Sequence, residues 1–84
     1  MEEFKWSDGV VIQLSFRGPQ RFVSDTRKAT EILLFQWPVS GGQALFAAKE
    51  ACRDVMLRKQ PPDYARAAFI AAAHEAGLNI QVGS

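Results

Sequence analysis

The 84-residue chain has a single cysteine, Cys52, and a single histidine, His74. One thiol excludes an internal disulfide, and the start of the chain lacks the basic, then apolar, then small-residue order of a secretion signal, so a reduced, cytoplasmic setting is expected. One thiol and one imidazole would leave a metal site dependent on convergent carboxylates, and none cluster, so neither a metal nor a cofactor is expected. Long apolar runs are also missing. The longest, Ala67 to Ala73, falls far short of the roughly 20 residues that cross a bilayer. Nor is there an excess of charge of one sign. Ten basic residues stand against nine acidic ones, a net charge of +1, which supplies no long-range field to draw in nucleic acid or anionic lipid.

Against these absences stands an ordinary globular composition, 48% apolar and 23% charged. That balance excludes the disordered and fibrous classes. The length suits one domain spanning residues 1–84 and cannot hold two independent cores. Val10, Ile12, Leu14 and Phe16 alternate with Val11, Gln13, Ser15 and Arg17, the period of a half-buried strand. Gly18 and Pro19 supply a turn, and Gln20 to Val23 return as a second strand with Phe22 facing inward. Phe4 and Trp6 also alternate, so the first strand either begins before Asp8 and Gly9, with that pair as a bulge, or begins after an early turn there.

Ser24 or Asp25 can cap a first helix running to about Gln36, with Ala29, Ile32 and Leu33 on its apolar side. Pro38 stops it. Ser40, Gly41 and Gly42 open a second helix whose apolar stripe is Leu45, Ala48, Cys52 and Val55, with Lys49, Glu50 and Arg53 opposite. Pro61 and Pro62 break it, and a third helix starts at Pro62 or Asp63. Seven alanines between Ala65 and Ala76 allow that helix to approach a neighbour closely, with Phe69 and Ile70 as large anchors. Gly77 and Leu78 fit a Schellman ending. Leu78, Ile80 and Val82 then alternate as a last strand. The fold class is α+β, in the order strand, strand, helix, helix, helix, strand, with a sheet of about three strands and helices on one face. The first strand belongs in the centre beside the last. The two edges left open make a homodimer a natural arrangement.

The pair Trp37-Pro38, the glycine and alanine entry to the second helix, Ala51-Cys52, the stretch from Ala65 to Ala72 and Glu75-Ala76-Gly77 together resemble an uncharacterised bacterial family, domain of unknown function 982. The resemblance covers nearly the whole chain. It implies a small bacterial protein and carries no activity, substrate or functional residue with it.

Candidate chemistry is sparse. Cys52 and His74 are the one thiol and imidazole combination for nucleophilic catalysis. Cys52 lies mid-stripe, where a buried thiol acts as a small hydrophobe, and His74 lies near a helix C-terminus, where an imidazolium is favoured, so no catalytic residue is assigned. Ser40, Gly41 and Gly42 would present free amides at a helix start, as in phosphate sites, but no Walker or dinucleotide pattern accompanies them. Arg17, Arg21, Arg27 and Lys28 form a locally basic stretch, and the exposed strand face offers no aromatic platform for bases. Trp37 sits between two helices, either in the core or in a partner groove. Arg66, alone on an alanine-rich helix, needs a carboxylate or carbonyl partner, Asp63 being the nearest acid. The candidate partner or ligand residues are therefore Arg66, His74, Arg17, Arg21, Arg27, Lys28 and Trp37. The expected function is a non-enzymatic interaction or regulatory module read by a protein partner or a second copy. The alternative is a small-ligand or nucleic-acid binder using the basic stretch. A thiol enzyme built on Cys52 and His74 comes third.

Overall fold

In a computed structural model, which describes residues 4–82, the alternation around Val10 becomes β1 (Lys5–Gln13), paired with β2 (Gln20–Asp25) on one side and β3 (Asn79–Val82) on the other. Both pairings are antiparallel, so β1 is central. The helices α1 (Thr26–Phe35), α2 (Gln43–Met56) and α3 (Pro62–Glu75) lie between β2 and β3 in the chain. Val10 and Ile12 of β1 and Val23 of β2 point into the core. The strand order and the expected α+β class are therefore as the alternation implied.

β1 begins before Asp8, with a bulge. Lys5 pairs with Asp25 and Val10 with Val23, so β1 advances five residues while β2 advances two, and Ser7, Asp8 and Gly9 bow out of the ladder. The bowing returns Trp6 to the core, where its indole Nε1 donates to the buried Thr26 hydroxyl at 3.0 Å.

Two inward assignments are corrected. Phe22 pairs with Val11 and is 65% exposed on the outer sheet face, while its neighbour Val23 is buried. With a side-chain period of two, only one of the pair can face the helices, and the register with Val10 selects Val23. The Phe22 ring lies over Gly9, where a β-carbon would come within 2.4 Å of it. Phe16 is 92% exposed rather than in the strand's apolar row. β1 ends at Gln13, whose side-chain amide donates to the carbonyls of Phe16 and Gly18, both at 3.0 Å, and so closes the turn early.

Asp25 caps α1 by accepting from the Lys28 amide at 2.8 Å. The helix buries Ala29, Ile32 and Leu33, and α2 buries Leu45, Ala48, Ala51, Cys52 and Val55. On α3 the buried face is Ala65, Phe69, Ala72 and Ala73, whereas Ile70 is half-buried and Ala67 and Ala71 are exposed. The small side chains on both helices let α3 seat closely on α2, as the alanine content suggested. Phe69 fills the centre, its ring 5.7 Å from that of Trp6 and 5.6 Å from that of Trp37. The α3 ending is a Schellman motif: Leu78 N donates to Ala73 O at 2.9 Å, Gly77 N to His74 O at 3.1 Å, and Gly77 has φ 72°. No helix among the described residues is long and apolar enough to cross a membrane.

Candidate functional site

α3 ties the molecule together through three side chains. Near its start, Asp63 accepts from the Ser7 amide at 2.8 Å, and one turn on Arg66 donates from Nε to the Asp8 carbonyl at 2.8 Å. Both act on the bulge of β1, whose bowed backbone has lost its ladder partners there. The Ser7 amide and hydroxyl, helped by the Arg66 charge, hold the Asp63 carboxyl below its usual range. The Arg66 guanidinium thus finds a carbonyl partner, and its charge also acts on the Asp63 carboxylate. At the other end of α3, Glu75 reaches the start of α2. Its carboxylate accepts from Ala44 N at 3.0 and 3.1 Å and from Leu45 N at 3.1 Å.

That contact changes the meaning of the Ser40-Gly41-Gly42 segment. Gly42 is the residue before the helix, with φ 125° and no capping side chain of its own. Two of the amides at the helix start that a phosphate would seek, those of Ala44 and Leu45, are bonded to the chain's own carboxylate. Gly42 is required twice over, by its φ and because a β-carbon would lie 2.3 Å from Glu75 Oε1. Sequence reasoning missed Glu75. Its signal was a helix start with glycine where Ser, Thr, Asp or Asn is usual.

The other candidate residues are dispersed. Cys52 is buried, and burial pushes its thiol up while a hydrogen bond with the Thr30 side chain pulls partly the other way. His74 is exposed in the last turn of α3, eight residues and so about 12 Å along the helix from Arg66. Arg17 lies exposed in the β1–β2 turn and Arg21 half-buried on β2. Arg27 and Lys28 follow at the far end of β2, about 20 Å from the turn at strand rise. The Arg27 guanidinium is 5.8 Å from the Phe4 ring centroid and that of Arg58 is 5.3 Å from it, so the two flank one aromatic ring. Lys28 pairs with Glu31 at 3.6 Å. Trp37 packs edge-on against Phe69, with its indole N–H buried and without a partner among the described residues. Among the described residues no group of three His, Cys, Asp or Glu side chains is placed to hold a metal.

What the structure does bring together is an apolar groove of about 340 Å³ between α1 and α2. Thr30, Leu33 and Leu34 form one wall. The other is Lys49, Cys52, Arg53 and Met56, spaced i, i+3, i+4 and i+7 on α2, continued by Leu57. Leu34 is 53% and Leu57 54% exposed at the rim. The signal in the sequence was the run Ile32–Phe35, which carries more apolar residues than one buried stripe uses.

A three-stranded antiparallel sheet backed on one face by three helices, with an open groove between the first two helices, defines a small α+β domain. Residues 8–80 match the sequence profile of the family described as "Protein of unknown function (DUF982)", and the chain belongs to that family. Its fold is similar to the NMR structure of Agrobacterium tumefaciens protein Atu1219, at 29% sequence identity and a TM-score of 0.74, over 90% of this chain and 75% of that one. No protein with a curated description matches the chain.

Proposed function

We propose that the chain is a non-enzymatic interaction module of the bacterial cytoplasm that takes an apolar segment of a protein partner into the α1–α2 groove. The groove carries this reading: an open apolar trough with two half-exposed leucines at its rim and helical walls on both sides is the form in which proteins receive an amphipathic segment. The alternatives find less support. Arg17 and Arg21 sit at the opposite end of β2 from Arg27 and Lys28, so the basic stretch does not converge. The thiol is buried and its partner is a hydroxyl, not an imidazole. A lone reduced cysteine and a bacterial relative favour the stated setting.

The test is site-specific photo-crosslinking in a bacterial host, with a benzophenone side chain placed at Leu34, at Leu57 or, for comparison, at Arg17. The expected result is one protein adduct shared by Leu34 and Leu57, absent from Arg17 and lost on Met56→Glu. Equal labelling from all three positions, or adducts indifferent to Met56→Glu, would remove the groove from the proposal.

A further inference from the structure

The groove has a sign. Residues 26–59, which hold α1, α2 and the turns after them, contain six basic residues (Arg27, Lys28, Lys49, Arg53, Arg58, Lys59) and three acidic ones (Glu31, Glu50, Asp54), a balance of +3. The remainder of the chain has four basic and six acidic residues, −2, and the two together give the overall +1. The near-neutral total is therefore unevenly distributed along the sequence. Within the groove itself the imbalance is local: Lys49 and Arg53 stand one turn apart on α2 and no carboxylate lines the trough. Like charges at i and i+4 repel, so the two cations raise the energy of the empty site and favour an occupant that neutralises them.

We infer that the occupant is an acidic amphipathic helix of a partner protein, its apolar face in the trough and its flanking carboxylates on Lys49 and Arg53. This rests on the groove reading above. The trough runs from Lys49 to Leu57 along α2, eight residues and about 12 Å, enough for two turns of a helix presenting residues at i, i+3 or i+4, and i+7. A second copy of this chain is a poorer occupant. Its most apolar exposed helical segment, Leu34 and Phe35 at the end of α1, follows Glu31, which already pairs with Lys28, and so brings no surplus carboxylate to Lys49 and Arg53.

The experiment uses two synthetic amphipathic helices that share one leucine face and differ only in the residues flanking it, Glu in one and Lys in the other. Each is titrated into the isotope-labelled chain while amide resonances are followed, with sodium decanoate as a third arm. The Glu peptide is expected to move the amides of Thr30, Leu34, Lys49, Arg53 and Met56 and to bind about tenfold more tightly than the Lys peptide at low salt. Raising the salt to about 0.5 M should shrink that ratio. The K49E/R53E variant, checked for unchanged circular dichroism, should reverse it.

Equal affinity for both peptides would overturn the acidic-helix assignment and leave the groove reading standing. Decanoate saturating the groove while neither peptide moves it would assign the site to a small amphiphile and overturn the inference. Concentration-dependent shifts of the same amides without any peptide, matched by a dimer in sedimentation, would give the site to a second copy. Shifts confined to residues outside the trough would overturn both the inference and the groove reading.

Discussion

Replacing Glu75 should unpin the start of α2, a helix whose own sequence supplies no cap. Glu75→Ala removes a carboxylate that accepts from the Ala44 and Leu45 amides at 3.0–3.1 Å. Loss of an N-terminal capping side chain costs about 0.5–2 kcal/mol, and loss of a negative charge beside a helix N-terminus about 0.3–1 kcal/mol. The groups overlap, so the combined expectation is about 1–2 kcal/mol. For a domain of this size that is a fall in melting temperature of roughly 5–15 °C. Glu75→Gln keeps an acceptor and loses the charge, and should cost about half as much.

Gly42→Ala adds a second route to the same damage, since its β-carbon would meet Glu75 Oε1 at 2.3 Å and its φ of 125° disfavours any side chain. The strain is about 1–3 kcal/mol, and displacement of the carboxylate adds the lost cap. Once Glu75 is absent only the strain remains. Urea denaturation of wild type, E75A, G42A and the double variant should therefore show that the double variant is less destabilised than the sum of the singles by about 1 kcal/mol. Additivity within about 0.4 kcal/mol, or an E75A variant as stable as wild type, would refute the account of Glu75 as the cap of α2.

Asp63 has its carboxyl held below the usual range by the Ser7 amide and hydroxyl, so its contribution is complete above the unfolded value of about 3.9 and disappears as pH falls through the lower folded value. Asp63→Asn should flatten the acid limb of a stability-versus-pH curve below about pH 4, and a limb of unchanged steepness would count against the bond. Phe69, buried between Trp6 and Trp37, should cost about 3–5 kcal/mol as Phe69→Ala. Against a net stability on the order of 5 kcal/mol for so small a domain, that should leave the chain largely unfolded, whereas Phe69→Leu should fold with tryptophan emission altered. Cys52, buried and with its thiol pushed up, should react with a thiol reagent at pH 8 only in denaturant; stoichiometric reaction in the native state would show the groove floor to be open.

Strand and helix boundaries were legible wherever a period met a stop signal, as at Asp25, Pro38, Pro62 and Gly77. The hairpin's facing was not. Phe22 and Val23 are both apolar neighbours on a short strand, and which one enters the core depends on the pairing of Val10 with Val23, a register set by the turn that Gln13 closes. Phe16 belonged to the same error, since its alternation continued past the point where backbone pairing ended. The long-range polar ties were invisible for a different reason. Ser7 with Asp63, Asp8 with Arg66 and Ala44 with Glu75 join residues 56, 58 and 31 positions apart, and no local pattern announces them. Arg66 could be marked as needing a partner, but a backbone carbonyl in a bulge has no sequence signature. The groove left a trace only as surplus: apolar residues at Leu34, Phe35 and Leu57 beyond those a single buried stripe consumes.

The carboxylate that caps α2 belongs to α3, so the first turn of α2 is capped only where the two helices are docked. If the docking of α3 on α2 follows the rate-limiting step of folding, a cap supplied 31 residues downstream stabilises the finished state more than the transition state. Glu75→Ala would in that case speed unfolding and leave the refolding rate nearly unchanged, and a refolding rate that falls with stability would place the docking earlier. Glu75 acts in that sense as a latch, holding the far end of α3 against the start of α2.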